Sequence, residues 1–169
     1  MTGTTEIKGN TITITRILNA PRERVWQMWT VPEHAQKWWG PKDFTCPIAK
    51  IDARQGGKIL LAMHGPAGSE WDKDMFSGGE FLEVVPMEKL VMTDNFMDSE
   101  GNKISPEEMG MPAGDWADEM VVTVTFEDAE EGKTKMTITH EGHAAGEMSE
   151  MASVGWNESL DKMAASLAG

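Results

Sequence analysis

Three charged side chains stand at positions whose neighbours are apolar. Arg16 follows Ile12 and Ile14 at two-residue steps, Asp94 follows Leu90 and Met92, and His140 follows Met136 and Ile138. Residues two apart on a strand share a face, so each charge faces the same way as the apolar residues before it. An inward charge is costly unless it is paired or meets a polar ligand. Arg16, Asp94 and His140 are therefore expected to make polar contacts in or at the rim of a cavity; the plainer alternative is three strand ends that are already wet. Asp94 and His140 are also the pair that acid–base chemistry would use.

Other reactive patterns are weak. His140-Glu141-Gly142-His143 lacks the i, i+4 histidine pair of a helical zinc site, and His140 and Glu141 point to opposite faces of a strand. No G-x-S-x-G elbow surrounds a serine, and Ser159 falls inside a helical pattern. Cys46 is the single thiol, so neither a disulfide framework nor a multi-thiolate metal site can form; it is expected to be buried and inert. A Walker A loop and a G-x-G-x-x-G turn are both missing, which leaves nucleotide binding without a motif. The expectation is no metal and no cofactor.

The elements that must position these groups are legible from their periods. In the stretch 146–168, Met148, Met151/Ala152, Trp156, Leu160, Met163 and Leu167 recur at three- and four-residue steps, one face of a helix of several turns. Such a stripe needs a large apolar partner, and the upstream strands are the only candidates. Residues 10–18 alternate as a half-buried strand. Asn19-Ala20-Pro21 then opens a short helix over 22–30, with Asn19 as the expected cap, and Val31-Pro32-Glu33 opens a second that runs to Trp38-Trp39 and stops at Gly40-Pro41. Strands are expected at 44–52, 58–64, 75–85, 89–96, 119–127 and 133–140, separated by Gly- and Pro-containing turns. Neighbouring strands with short turns pair antiparallel. Residues 98–116 show no period and read as a long loop, a lid or a surface insertion.

Composition bounds the rest. The 169 residues make one domain with its core over about 10–168, and 40% apolar with 25% charged content is that of a soluble globular chain. A formal charge of −13 argues against nucleic acid and anionic membrane as partners. No run approaches a membrane span and no apolar leader opens the chain, so a cytoplasmic protein without membrane insertion is expected, as monomer or homodimer. Fourteen methionines and seven tryptophans suit either a packed core or the broad, adaptable walls of a pocket.

The motifs also carry a resemblance. Arg16-x-x-x-Ala20-Pro21-x-x-x-Val25-Trp26, Pro32-Glu33, Trp38-Trp39-Gly40-Pro41 and Gly56-Gly57 resemble the START-like helix-grip superfamily of polyketide cyclases and the birch-pollen allergen. Gly79-x-Phe81-x-Glu83-Val84-x-Pro86, the Val121-Thr123-Thr125 strand and Gly155-Trp156-Asn157-x-Ser159-Leu160-Asp161-Lys162 are similar to its bacterial branch, named for the activator of the large heat-shock chaperone's ATPase. The match spans about Thr11 to Leu167. It implies an α+β helix-grip fold: a curved antiparallel sheet around a long C-terminal helix, two short helices after the first strand, and an apolar cavity between. The superfamily includes lipid, sterol and metabolite binders as well as cyclases and hydrolases. The founding activator's chaperone binding belongs to a larger protein.

A pocket in such a fold should be mostly apolar with a few convergent polar groups. The expected walls are Trp29, Trp38, Trp39 and Phe44 from the helical end and its exit, Leu61, Met63, Met92, Phe96, Val122, Val124, Met136 and Ile138 from the strands, and Met151, Trp156 and Met163 from the last helix. Gly155 is expected to leave room for a ligand or for close sheet packing. The expected function is binding of a small apolar or amphipathic molecule. A cyclase- or hydrolase-type enzyme using the same pocket and a chaperone-linked interaction module are the alternatives.

Overall fold

The chain folds around its last helix, α3 (Glu147–Ala168), which lies across the concave face of an antiparallel sheet. The structure is a computed structural model and describes residues 3–168. Before α3 come β1 (Gly3–Lys8), β2 (Thr11–Leu18), α1 (Arg22–Thr30), α2 (Pro32–Ala35), β3 (Thr45–Ile51), β4 (Lys58–His64), β5 (Asp74–Val85), β6 (Lys89–Thr93), β7 (Asn95–Met97), β8 (Val121–Asp128) and β9 (Thr134–Glu141). The nine strands order as β1-β2-β9-β8-β6-β5-β4-β3, with β7 on β5. This is the α+β helix-grip arrangement that the motifs imply.

Period-two alternation does what the strands require. Along β2, Ile12, Ile14, Arg16 and Leu18 are buried while the threonines between them are half-exposed. The pattern repeats in β8 and β9, and Val122, Val124, Phe126, Met136 and Ile138 meet Leu160, Met163 and Leu167 of α3 in one continuous core. Burying side chains of this size stabilises by about 1.5–3 kcal/mol each.

Several local expectations change. Gly3–Lys8 forms an edge strand paired with β2, ahead of the expected core; Gly9-Asn10 makes the two-residue turn, with Gly9 at φ 58°. Its polar, exposed face gives little apolar rhythm to read. Pro21, not Asn19, occupies the cap position of α1, and no side chain caps it. The second helix ends at Ala35 and continues as turns through Trp39.

The expected strand at 89–96 is two strands that part at Asp94. β6 pairs with the C-terminal half of β5 and β7 with its N-terminal half, so β5 bends between them at Gly78-Gly79. A Cβ on Gly79 would fall 1.9 Å from Thr93 Oγ1, and one on Gly78 2.0 Å from the Ile59 carbonyl oxygen. Only glycine permits this bend. On α3, the inward face of the first turns is Ser149 and Ser153, whereas Met151 is 59% exposed.

Candidate functional site

Between the first half of α3 and the β4, β5 and β7 side of the sheet lies a cavity of about 330 Å³. Its walls are Met63 from β4, Met75 and Ser77 from β5, Phe96 from β7, and Met148, Met151, Ala152, Gly155, Trp156 and Ser159 from α3. Trp39, Gly40, Pro41 and Phe44 close it from the segment after α2, and Trp71, Met111 and His143 from three other turns. The size lies at the lower end of the range for small-molecule sites, and the lining is nearly all apolar.

Asp94 is the one acidic side chain on this wall among the described residues. It follows the inward phase of Leu90 and Met92 into the gap between β6 and β7, so the break in the strand aims it at the cavity. Its side chain is 16% exposed. Burial pushes its carboxyl up to about 7, because no surrounding donor repays the loss of water.

His140 lies directly behind it. The residue is 5% exposed. Trp156 Nε1 donates to its Nδ1 across 3.0 Å, which requires the imidazole to carry its proton on Nε2. That Nε2 has no hydrogen-bond partner and sits 3.6 Å from Asp94 Oδ2. Burial, reinforced by the neighbouring His143, lowers the imidazole to about 3, so it is neutral at ordinary pH.

His143 returns to the site through the turn at Gly142, φ 96°. Its ring centroid lies 5.5 Å from that of His140 and 4.5 Å from that of Trp116, which itself packs on Phe96. The 98–116 segment thus joins the wall through Met111 and braces it through Trp116. On the opposite side, half-buried His64 bridges Asp74 and Asp72 at 2.7 and 2.8 Å, holding the turn that presents Trp71. The two carboxylates raise the His64 pKa, Asp74 more strongly.

Of the residues expected at the pocket, Trp39, Phe44, Met63, Asp94, Phe96, Met151, Gly155 and Trp156 meet at this cavity. Trp29, Trp38, Leu61, Met92, Val122, Val124, Met136, Ile138 and Met163 are packed in the core beside it and do not line it. At that end of the sheet, Leu160 and Met163 fill the space under α3. Arg16 is spent inside the fold: its Nη2 donates to the Asn157 carbonyl and Oδ1 and pairs with Asp161 at 3.0 Å, tying α3 to β2. Cys46 is buried, and burial pushes its thiol up to about 11.

The wall also includes Trp71, Met75, Ser77, Met111, His143 and Ser159, which periodicity does not single out, and Met148, which the helical stripe places on the inward face without marking it as a pocket wall. A tryptophan inside the polar turn 65–73 was the one available signal. Met111 sits in a segment with no period, and a turn, not a strand phase, brings His143 back.

The family model for Activator of Hsp90 ATPase homolog 1-like protein matches residues 19–168. The chain belongs to this family. A crystal structure of a protein from Chromobacterium violaceum is 31% identical, with a TM-score of 0.76 over 95% of this chain and 98% of that one. A solution structure from Staphylococcus epidermidis is 26% identical, with a TM-score of 0.74 over 98% and 93%. The AHSA1 protein of Silicibacter pomeroyi shares the fold at 19% identity, with a TM-score of 0.72 over 94% and 97%. No curated protein matches. In this activator-homologue chain, no described helix is long and apolar enough to cross a membrane.

Proposed function

We propose that the protein binds a small apolar or amphipathic molecule in the cavity under α3. The carrying observation is the cavity itself: about 330 Å³, walled by five aromatic residues and five methionines, with polar groups confined to Asp94, His143 and two serines. Rigid aromatic walls supply contact area, and methionines adapt to its shape. The Asp94–His140 pair favours binding over acid–base chemistry. His140 Nδ1 is already engaged by Trp156 and its Nε2 holds a proton, so no basic nitrogen faces the cavity from that residue.

Titration with phenylnaphthylamine, a neutral fluorophore that brightens in apolar surroundings, tests this reading. Gly155 lines the cavity, and a Cβ there would meet Pro41 Cγ at an ordinary 3.5 Å, so Gly155→Leu adds bulk to the wall with little strain in the helix. The wild type should brighten the dye and gain thermal stability by mass action. Gly155→Leu should lose both. A wild type that leaves the dye dark, or a Gly155→Leu variant that binds it equally well, overturns the proposal.

A further inference from the structure

We propose that the cavity selects a small organic monocation, an amphipathic ammonium ion, with Asp94 as its counter-ion and His140 steadying the carboxylate from behind. The proposal rests on the binding reading above and names the chemical class that the site would take. Three observations converge on it.

The first is charge. Among the described residues, Asp94 is the only acidic group on the lining, no lysine or arginine lines the cavity, and no hydrogen-bond donor lies in reach of its carboxyl. A neutral ligand would leave that carboxyl protonated or costly, and an anion would oppose it. A cation supplies the missing partner.

The second is the wall. Trp39, Phe44, Trp71, Phe96 and Trp156 surround the same space, and aromatic rings attract cations more strongly once water is excluded. A head group at Asp94 with an apolar body against these rings satisfies both parts of the lining.

The third is the orphaned donor. His140 Nε2 is buried with nothing to donate to, 3.6 Å from Asp94 Oδ2. Its tautomer is set by Trp156, so the proton points to the carboxyl side of the ring. An ionised Asp94 becomes the acceptor this donor lacks once the 3.6 Å gap closes to about 3 Å. The carboxylate would then be held between a neutral donor behind and a cation in front, a charge-assisted arrangement.

The titratable groups around Asp94 are His140 on β9 and His143 in the following turn, both held neutral by burial. The lining contributed by α3, β4, β5 and the 98–116 segment carries no charge. Because Asp94 is partly protonated near neutrality, an ammonium ligand should displace its proton on binding.

Naphthylmethylamine, which is cationic, and naphthylmethanol, its neutral near-isostere, are titrated calorimetrically into the wild type and Asp94→Asn. The wild type should prefer the amine by about tenfold or more, and Asp94→Asn should abolish that preference while keeping the alcohol within about twofold. Retained alcohol binding shows that the variant is folded. At a pH about one unit below the Asp94 pKa, buffers of different ionisation heat should report release of close to one proton with the amine and none with the alcohol. If the alcohol binds but the amine is no better, or keeps its advantage in Asp94→Asn, the cation proposal fails and cavity binding stands. If neither compound binds the wild type, both fail.

Discussion

Trp156 Nε1 donates to His140 Nδ1 across 3.0 Å, joining the helix that closes the cavity to the strand that backs it. One contact therefore ties α3 to the sheet and sets the tautomer of a buried imidazole. Trp156→Phe keeps an aromatic ring, though a smaller one, and removes the donor. It should lower stability by about 1–3 kcal/mol, because Nδ1 is left buried and unpaired. Denaturant unfolding reads the loss, which should shrink in a His140→Leu background where the acceptor is gone. In the wild type, imidazole nitrogen shifts should report a neutral ring protonated on Nε2.

Asp94 and His140 bend the pH–stability profile in opposite directions. Asp94 titrates near 7 when folded and near 3.8 otherwise, so the folded state holds an extra proton between them and stability falls as pH rises through that window. His140 titrates near 3 when folded and near 6.5 otherwise, so its contribution is lost as pH falls below 6.5. His143, also lowered by burial, adds to that acid-side loss. Asp94→Asn should match the wild type near pH 4 and exceed it by a few kcal/mol above pH 7, seen as a rising midpoint in urea. A constant difference across the range would contradict the assignment.

Gly155 sits inside α3 with open space toward the cavity and Pro41 Cγ at an ordinary 3.5 Å from a built Cβ. Gly155→Ala should raise stability by about 0.5–1 kcal/mol through helix propensity. The expected sign is a higher melting temperature, with dye affinity near that of the wild type.

Arg16→Ala should do the reverse of a pocket variant. It removes the guanidinium that holds Asn157 and Asp161, and hydrogen bonds to charged groups are worth about 1.5–3 kcal/mol. Stability should drop by about that amount while phenylnaphthylamine binding at temperatures below the transition is unchanged. Lost affinity in a fully folded variant would return Arg16 to the cavity.

The fold was largely written in local pattern. Alternation along 11–18, 121–128 and 134–141, the helical stripe through Trp156, Leu160, Met163 and Leu167, and the Gly and Pro stops between them specify strands, helix and antiparallel pairing. These signals survive because each depends on which face a residue presents, a property of the chain's own repeat. The Gly3–Lys8 strand leaves no such signal because an exposed edge needs no apolar phase, and 89–96 reads as one strand because Asp94 and Phe96 stay in register with Leu90 and Met92.

The site depended on more. Facing inward was readable for Arg16, Asp94 and His140 alike, since all three follow an apolar phase, yet their surroundings differ entirely. Arg16 meets α3 and is satisfied there, His140 meets Trp156, and Asp94 lines the cavity. Whether an inward group finds a partner or a cavity depends on how far apart helix and sheet stand at that level. That separation is set by Leu160 and Met163 filling one end, and by Gly155, the serines and the Gly78-Gly79 bend opening the other. The sequence by itself determined which faces turn inward; the tertiary structure alone decided where the inside is full, because packing is a sum over residues distant in the chain.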